Sequence, residues 1–267
     1  MMPGEADPEA PRRRVPLGGR RVSALIPNIL TIGALCAGLT AVRFAILGRW
    51  EHAVAAILCA AVLDGLDGRM ARLLNATSKF GAELDSLSDF VSFGAAPALI
   101  LYLWSSHEVG GIGWIAALFY AVCCALRLAR FNTMLSDPNT PAWARYYFTG
   151  VPAPAGAFLV VLPLMLSFEV ASEGGGGFAS PWLTIVTLVG VGTLMVSRVP
   201  TFSMKQMRIP RALTLPALIL AALFVAALVT LPWATLLAIG ALYLASIPLS
   251  VIVQRRATTS GPSDMAS

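Results

Sequence analysis

Residues 63–94 read LDGLDGRMARLLNATSKFGAELDSLSDFVSFG and set four aspartates, Asp64, Asp67, Asp85 and Asp89, between two long apolar runs. A lone carboxylate at the centre of a bilayer costs about 2.5–3.5 kcal/mol on insertion scales, so four left deep and unpaired would cost on the order of 10 kcal/mol. They must lie near an interface, line a wet cavity or hold cations. Asp64 and Asp67 are three residues apart, which puts them on one helix face with Arg72 close by. Asp85 and Asp89 are four apart, with Gly81 one turn earlier on the same stripe. The connection at residues 75–78 is short, so the two helices should run antiparallel and bring the four carboxylates together at one end. Hard oxygen donors at this spacing suit Mg²⁺ or Mn²⁺, which bridge substrate phosphates. Gly68, Ala71 and Gly81 leave room for a bulky ligand near the backbone. The bland alternative is a set of solvated aspartates ending two helices and pairing with Arg69, Arg72 and Lys79.

The rest of the chain sets the solvent. Of its 267 residues, 57% are hydrophobic and 12% charged, and the mean hydropathy is +0.75. A soluble domain carries roughly 25% charged residues. The composition therefore excludes a soluble enzyme, a disordered chain, a collagen-like repeat and a disulfide scaffold. A bilayer takes about 20 apolar residues to cross, and there are eight candidate spans: residues 24–48, 52–74, 80–105, 112–134, 151–169, 181–197, 212–230 and 232–254. The expected fold class is an all-α, polytopic transmembrane helical bundle. Residues 1–22 form a basic, polar N-terminal segment, 23–256 the transmembrane domain, and 257–267 a polar, disordered tail. The first apolar run is too long for the core of a signal peptide.

The net charge is +5. Because the basic residues cluster at the ends of apolar runs, they point to anionic head groups and not to nucleic acid. If the amino terminus is cytoplasmic, the inner segments hold the N-terminal arginines, the Arg72–Lys79 connection, Arg127, Arg130, Arg198, Lys205, Arg208, Arg211, Arg255 and Arg256. The outer loops hold Arg49 and almost nothing else. This bias puts both termini, and the aspartate cluster, on the cytoplasmic side. Trp50, Trp104, Trp114, Trp182 and Trp233 fall near outer ends, where indoles favour the head-group region. Cys36, Cys59, Cys123 and Cys124 read as small buried residues, and His52 and His107 lie on the outer side, away from the carboxylates.

The pattern Asp-x2-Asp-Gly-x2-Ala-Arg-x8-Gly-x3-Asp-x3-Asp is met without a gap by Asp64, Asp67, Gly68, Ala71, Arg72, Gly81, Asp85 and Asp89. It resembles the motif of the CDP-alcohol phosphotransferase superfamily, integral membrane enzymes that move a phosphatidyl group from a CDP-linked lipid to an alcohol. The resemblance implies that Asp64, Asp67 and Asp85 bind a pair of divalent ions, Mg²⁺ or Mn²⁺. It implies that Asp89 ligates metal and acts as the general base, and that Gly68, Ala71, Arg72 and Gly81 contact the CDP moiety. The further blocks RLARFN (127–132), FTGVPAPAGA (148–157) and MVSRVPTFSMK (195–205) are similar to the bacterial and archaeal CDP-diacylglycerol–serine O-phosphatidyltransferases. That similarity runs from about Ile26 to Lys205, and residues 212–254 add little to it.

The implied reaction is CDP-diacylglycerol plus L-serine giving phosphatidylserine and CMP, by direct transfer, in a homodimer embedded in the inner or cytoplasmic membrane. Arg127 and Arg130 share one face at the end of the fourth span. They are either snorkelling anchors or contacts to the serine carboxylate or the lipid phosphate, with Asn132 adding a hydrogen bond. Lys205 is a further candidate contact in a basic inner loop. Three alternatives stay open: a sister enzyme using glycerol 3-phosphate, inositol phosphate or choline, a cation transporter, and a non-catalytic lipid-binding scaffold.

Overall fold

The computed structural model describes residues 25–74, 78–136, 150–172, 179–197 and 214–259, and among these the regular structure is entirely helical. The elements are α1 (Ile26–Ile46), α2 (Trp50–Leu73), α3 (Lys79–Asp89), a π-helical turn (Phe90–Ala95), α4 (Ala96–Trp104), a short 3₁₀ turn (Ser106–Val109), α5 (Gly111–Ser136), α6 (Ala153–Val160), α7 (Leu162–Ser172), α8 (Pro181–Val196), α9 (Thr214–Thr230) and α10 (Pro232–Thr259).

The eight apolar stretches fall on these helices. The third is one rod, Lys79–Trp104, running through the π-helical turn. The fifth is α6 and α7, broken at Val161, where Pro163 has no N–H to return to the preceding turn. Four helices are long and apolar enough to cross a membrane: Ile26–Ile46, Lys79–Trp104, Gly111–Met134 and Ala153–Ala171. Pro181–Val196, Leu218–Thr230 and Pro232–Ser246 are apolar but shorter. The carboxylates and arginines of α2 keep it outside that group.

Large apolar side chains stand exposed on several helices, among them Ile29 and Leu39 of α1, Ile115 and Val122 of α5, and Leu220, Leu223 and Val229 of α9. Water would penalise such a surface, whereas lipid tails are its natural solvent. The chain is an integral membrane protein.

Small residues set the interior. Ala34, Ala41 and Ala45 of α1 are buried with Ala53, Val54, Ile57 and Ala60 of α2, so the two helices lie close together after the tight turn at Gly48, whose φ is +70°. On the same small-residue stripe of α1, Gly38 admits the π-helical turn. A Cβ at Gly38 would lie 2.5 Å from Ser92 Oγ, and that hydroxyl donates to the Ala34 carbonyl at 3.1 Å. The fully buried Tyr120 of α5 donates its phenolic proton to the Phe93 carbonyl at 2.8 Å, supplying a partner inside the turn where the ordinary helical ladder is interrupted. Gly150 adopts φ +89°, and a Cβ there would lie 2.5 Å from the Met195 carbonyl oxygen. Gly150 and Val151 are therefore seated on the end of α8, which joins described parts of two of the sequence blocks singled out above.

Candidate functional site

The site is built where α2 ends and α3 begins. Ser78 is extended (φ −138°, ψ 154°) and its hydroxyl accepts the Gly81 N–H at 3.0 Å, an N-cap that starts α3 and fixes its direction. From that start Gly81, Asp85 and Asp89 follow at four-residue intervals along one stripe. Across from them, α2 offers Asp64 and Asp67, then Gly68, Ala71 and Arg72.

Asp64, Asp67 and Asp85 each contribute an oxygen to a group whose atoms all lie within 4.8 Å of one another. Metal–oxygen distances of about 2.0–2.1 Å put the ligand oxygens of one Mg²⁺ closer together than this limit, so the three carboxylates would draw in to hold one ion. The donors are all hard oxygens, and among the described residues the basic group that acts on the four aspartates is Arg127, against Asp89. The residues present fit a divalent metal.

Asp67 is the most buried of the set, at 5% exposure, and it accepts a hydrogen bond from Thr31 Oγ1 of α1 at 2.7 Å. Asp89 stands outside the trio. Its carboxyl lies against that of Asp64, and Arg127 of α5 faces it. The Arg127 Nε is buried without a hydrogen-bond partner.

Beside the trio is a cavity of about 220 Å³ lined by Asp67, Gly68, Ala71 and Arg72 of α2 and by Gly81 and Asp85 of α3. The structure thus gathers all four residues that the motif relates to CDP onto one wall with two of the carboxylates. A Cβ on Gly68 would meet nothing within 4 Å, so its missing side chain enlarges the cavity and relieves no packing. A Cβ on Gly81 would come within 3.0 Å of Asn28 Oδ1 and 3.1 Å of Ser78 Oγ, so that glycine also lets its neighbours approach closely. Arg72 is held along α2 by a bond from its Nε to the Gly68 carbonyl at 2.9 Å.

The wall also includes Pro27, Asn28, Thr31 and Ser78, which the sequence reading did not single out. A signal was present: Asn28 and Thr31 are three residues apart on one face of an apolar helix, where polar groups are rarely idle. Asn132, expected at the acceptor or the lipid phosphate, donates from Nδ2 to Ser86 Oγ at 2.8 Å and ties α5 to α3. At Arg130 the backbone carbonyl accepts from the Thr133 hydroxyl at 2.8 Å. Lys205 lies outside the described residues.

A family model described as CDP-alcohol phosphatidyltransferase matches residues 24–197, and one described as CDP-alcohol phosphatidyltransferase 2 matches residues 212–248. The second match lies in the stretch where the sequence blocks carry little resemblance. A CDP-diacylglycerol–serine O-phosphatidyltransferase of Mycobacterium leprae is 41% identical over 231 residues, covering 86% of this chain and 76% of its own. The protein of the same name from Mycobacterium tuberculosis H37Rv is 41% identical over 241 residues, covering 90% and 83%. The one from Helicobacter pylori 26695 is 40% identical over 182 residues, covering 67% and 73%.

Proposed function

The chain belongs to the CDP-alcohol phosphatidyltransferase family, and from that premise we propose that it transfers the phosphatidyl group of CDP-diacylglycerol to the hydroxyl of L-serine, releasing CMP. The observation that carries the reaction type is the cavity shared by Gly68, Ala71, Arg72 and Gly81 with the carboxylates of Asp67 and Asp85. The choice of serine as acceptor rests on the names of the relatives from two genera.

In this reading Asp64, Asp67 and Asp85 hold Mg²⁺ or Mn²⁺, with Asp89 completing the site for a second ion. The cations supply positive charge that neutralises the pyrophosphate and stabilises CMP as it leaves. Gly68, Ala71 and Gly81 let the nucleotide approach the helix backbone, and the Arg72 guanidinium sits on the phosphate side of it. The serine hydroxyl oxygen attacks the phosphatidyl phosphorus, its bond to the CMP oxygen breaks, and Asp89 takes the hydroxyl proton during attack. Arg127 is the basic group that acts on Asp89, and it suits the serine carboxylate; Arg130 and Lys205 are further anion contacts.

The same reading places eight spans in the inner or cytoplasmic membrane, with both termini and the site on the cytoplasmic side, as the distribution of lysine and arginine supports. It keeps the division into residues 1–22, 23–256 and 257–267. A homodimer is carried by the family resemblance alone. The test is CMP release by the purified protein with CDP-diacylglycerol and Mn²⁺, adding L-serine, glycerol 3-phosphate, inositol phosphate or choline separately. Release that requires serine and stops with a chelator is the expected result. Release with another alcohol overturns the acceptor, and release with none overturns the enzyme.

A further inference from the structure

Thr31 belongs to the first helix, 36 residues before Asp67, yet its hydroxyl makes one of the shortest side-chain contacts in the site, 2.7 Å to Asp67 Oδ2. Both residues are buried, at 4% and 5% exposure. The same hydroxyl lies 3.0 Å from the Pro27 carbonyl, but it has a single proton, and the shorter bond leads to the carboxylate, the stronger acceptor. Thr31 also acts through its backbone: its carbonyl accepts the buried Ser88 hydroxyl at 3.1 Å, one residue before Asp89. One turn of α1 therefore touches both carboxylate helices, α2 through the Thr31 side chain and α3 through the Thr31 carbonyl.

A carboxylate held only by its own χ angles samples several orientations, and each must be frozen out when a cation binds. A hydroxyl bonded to one carboxylate oxygen freezes it beforehand and leaves lone pairs for the ion. We propose that Thr31 is a positioning residue for the divalent-cation site, its hydroxyl fixing Asp67 in the orientation that completes the trio with Asp64 and Asp85. This rests on the reading of that trio as a cation site.

Thr31→Val isolates the hydroxyl, because valine keeps the branched shape and the carbonyl that Ser88 uses. Thr31→Ser keeps the hydroxyl and loses only the methyl. Mn²⁺ binding is titrated by electron paramagnetic resonance on the purified full chain in detergent, without substrate, and the melting temperature is read without metal. The expected result is a loss of Mn²⁺ affinity of about 10–100-fold in Thr31→Val, the usual scale for removing a group that orients a metal ligand. Thr31→Ser should bind like the wild type. If Thr31→Val does not fold, Thr31→Ala against Thr31→Ser reads the same difference. Equal Mn²⁺ affinity in wild type and Thr31→Val, even with a lowered melting temperature, overturns the proposal and leaves Thr31 a packing residue. A wild type that binds no Mn²⁺ overturns the cation reading and this inference with it.

Discussion

Replacing Gly68 by alanine sets two demands on α2 against each other. As a helix residue, glycine is about 0.8–1.0 kcal/mol worse than alanine, so the substitution should stabilise the folded protein slightly. Packing does not oppose it, since a Cβ at this position meets nothing within 4 Å. The space that the methyl enters is the cavity of about 220 Å³ assigned to the nucleotide. Intruding one methyl on a fitted ligand costs about 1–3 kcal/mol by analogy with overpacked cores, which is about 5–140-fold at 1.4 kcal/mol per tenfold. The assay is the KM for CDP-diacylglycerol and kcat, from CMP release in mixed micelles, alongside the melting temperature. Gly65→Ala is the control, because Gly65 is on the same helix, also meets nothing within 4 Å, and is not part of the cavity wall. The expected result is two variants of equal or raised stability, of which Gly68→Ala alone has lost activity. Equal activity in both would refute the placement of the nucleotide.

Asp89→Asn should lower turnover by at least about 100-fold, the low end for loss of a positioned general base, with an unchanged elution profile and melting temperature; near-normal turnover would remove Asp89 as the base. Asn28→Ala takes one amide from the cavity wall and should raise the KM for CDP-diacylglycerol by about 2–12-fold, the equivalent of 0.5–1.5 kcal/mol for one neutral hydrogen bond. An unchanged KM would take Asn28 out of nucleotide binding. Tyr120→Phe leaves the buried Phe93 carbonyl without its 2.8 Å donor and should lower unfolding stability by about 1–3 kcal/mol. Unaltered unfolding in a denaturant titration would show that this bond does not hold the π-helical turn.

Much of the molecule was legible in one dimension. The helices fall where the apolar runs fall because hydropathy is a local property, summed residue by residue along each run. The aspartate stripes were legible because helical spacing alone puts Asp64 with Asp67 and Asp85 with Asp89 on common faces. The short connection between them made convergence of α2 and α3 an expectation that needed no other part of the chain.

The partners supplied by the other helices were not legible in that way. Thr31 and Asn28 reach the site from α1, Asn132 reaches Ser86 from α5, and Asp89 turns toward Asp64 and Arg127 and stays outside the trio. Each depends on how far a helix is rotated about its own axis. In a soluble protein, the polar face of a helix reports that rotation. In lipid, an outward leucine and an inward leucine are equally well solvated, so the sequence of an apolar helix leaves its rotation open. Hydropathy and helical spacing, both local, fix the helices and the two carboxylate stripes. The close fit of Gly38 on Ser92, of the small faces of α1 and α2, and of Tyr120 on the Phe93 carbonyl then decided which residues of the neighbouring helices meet those stripes.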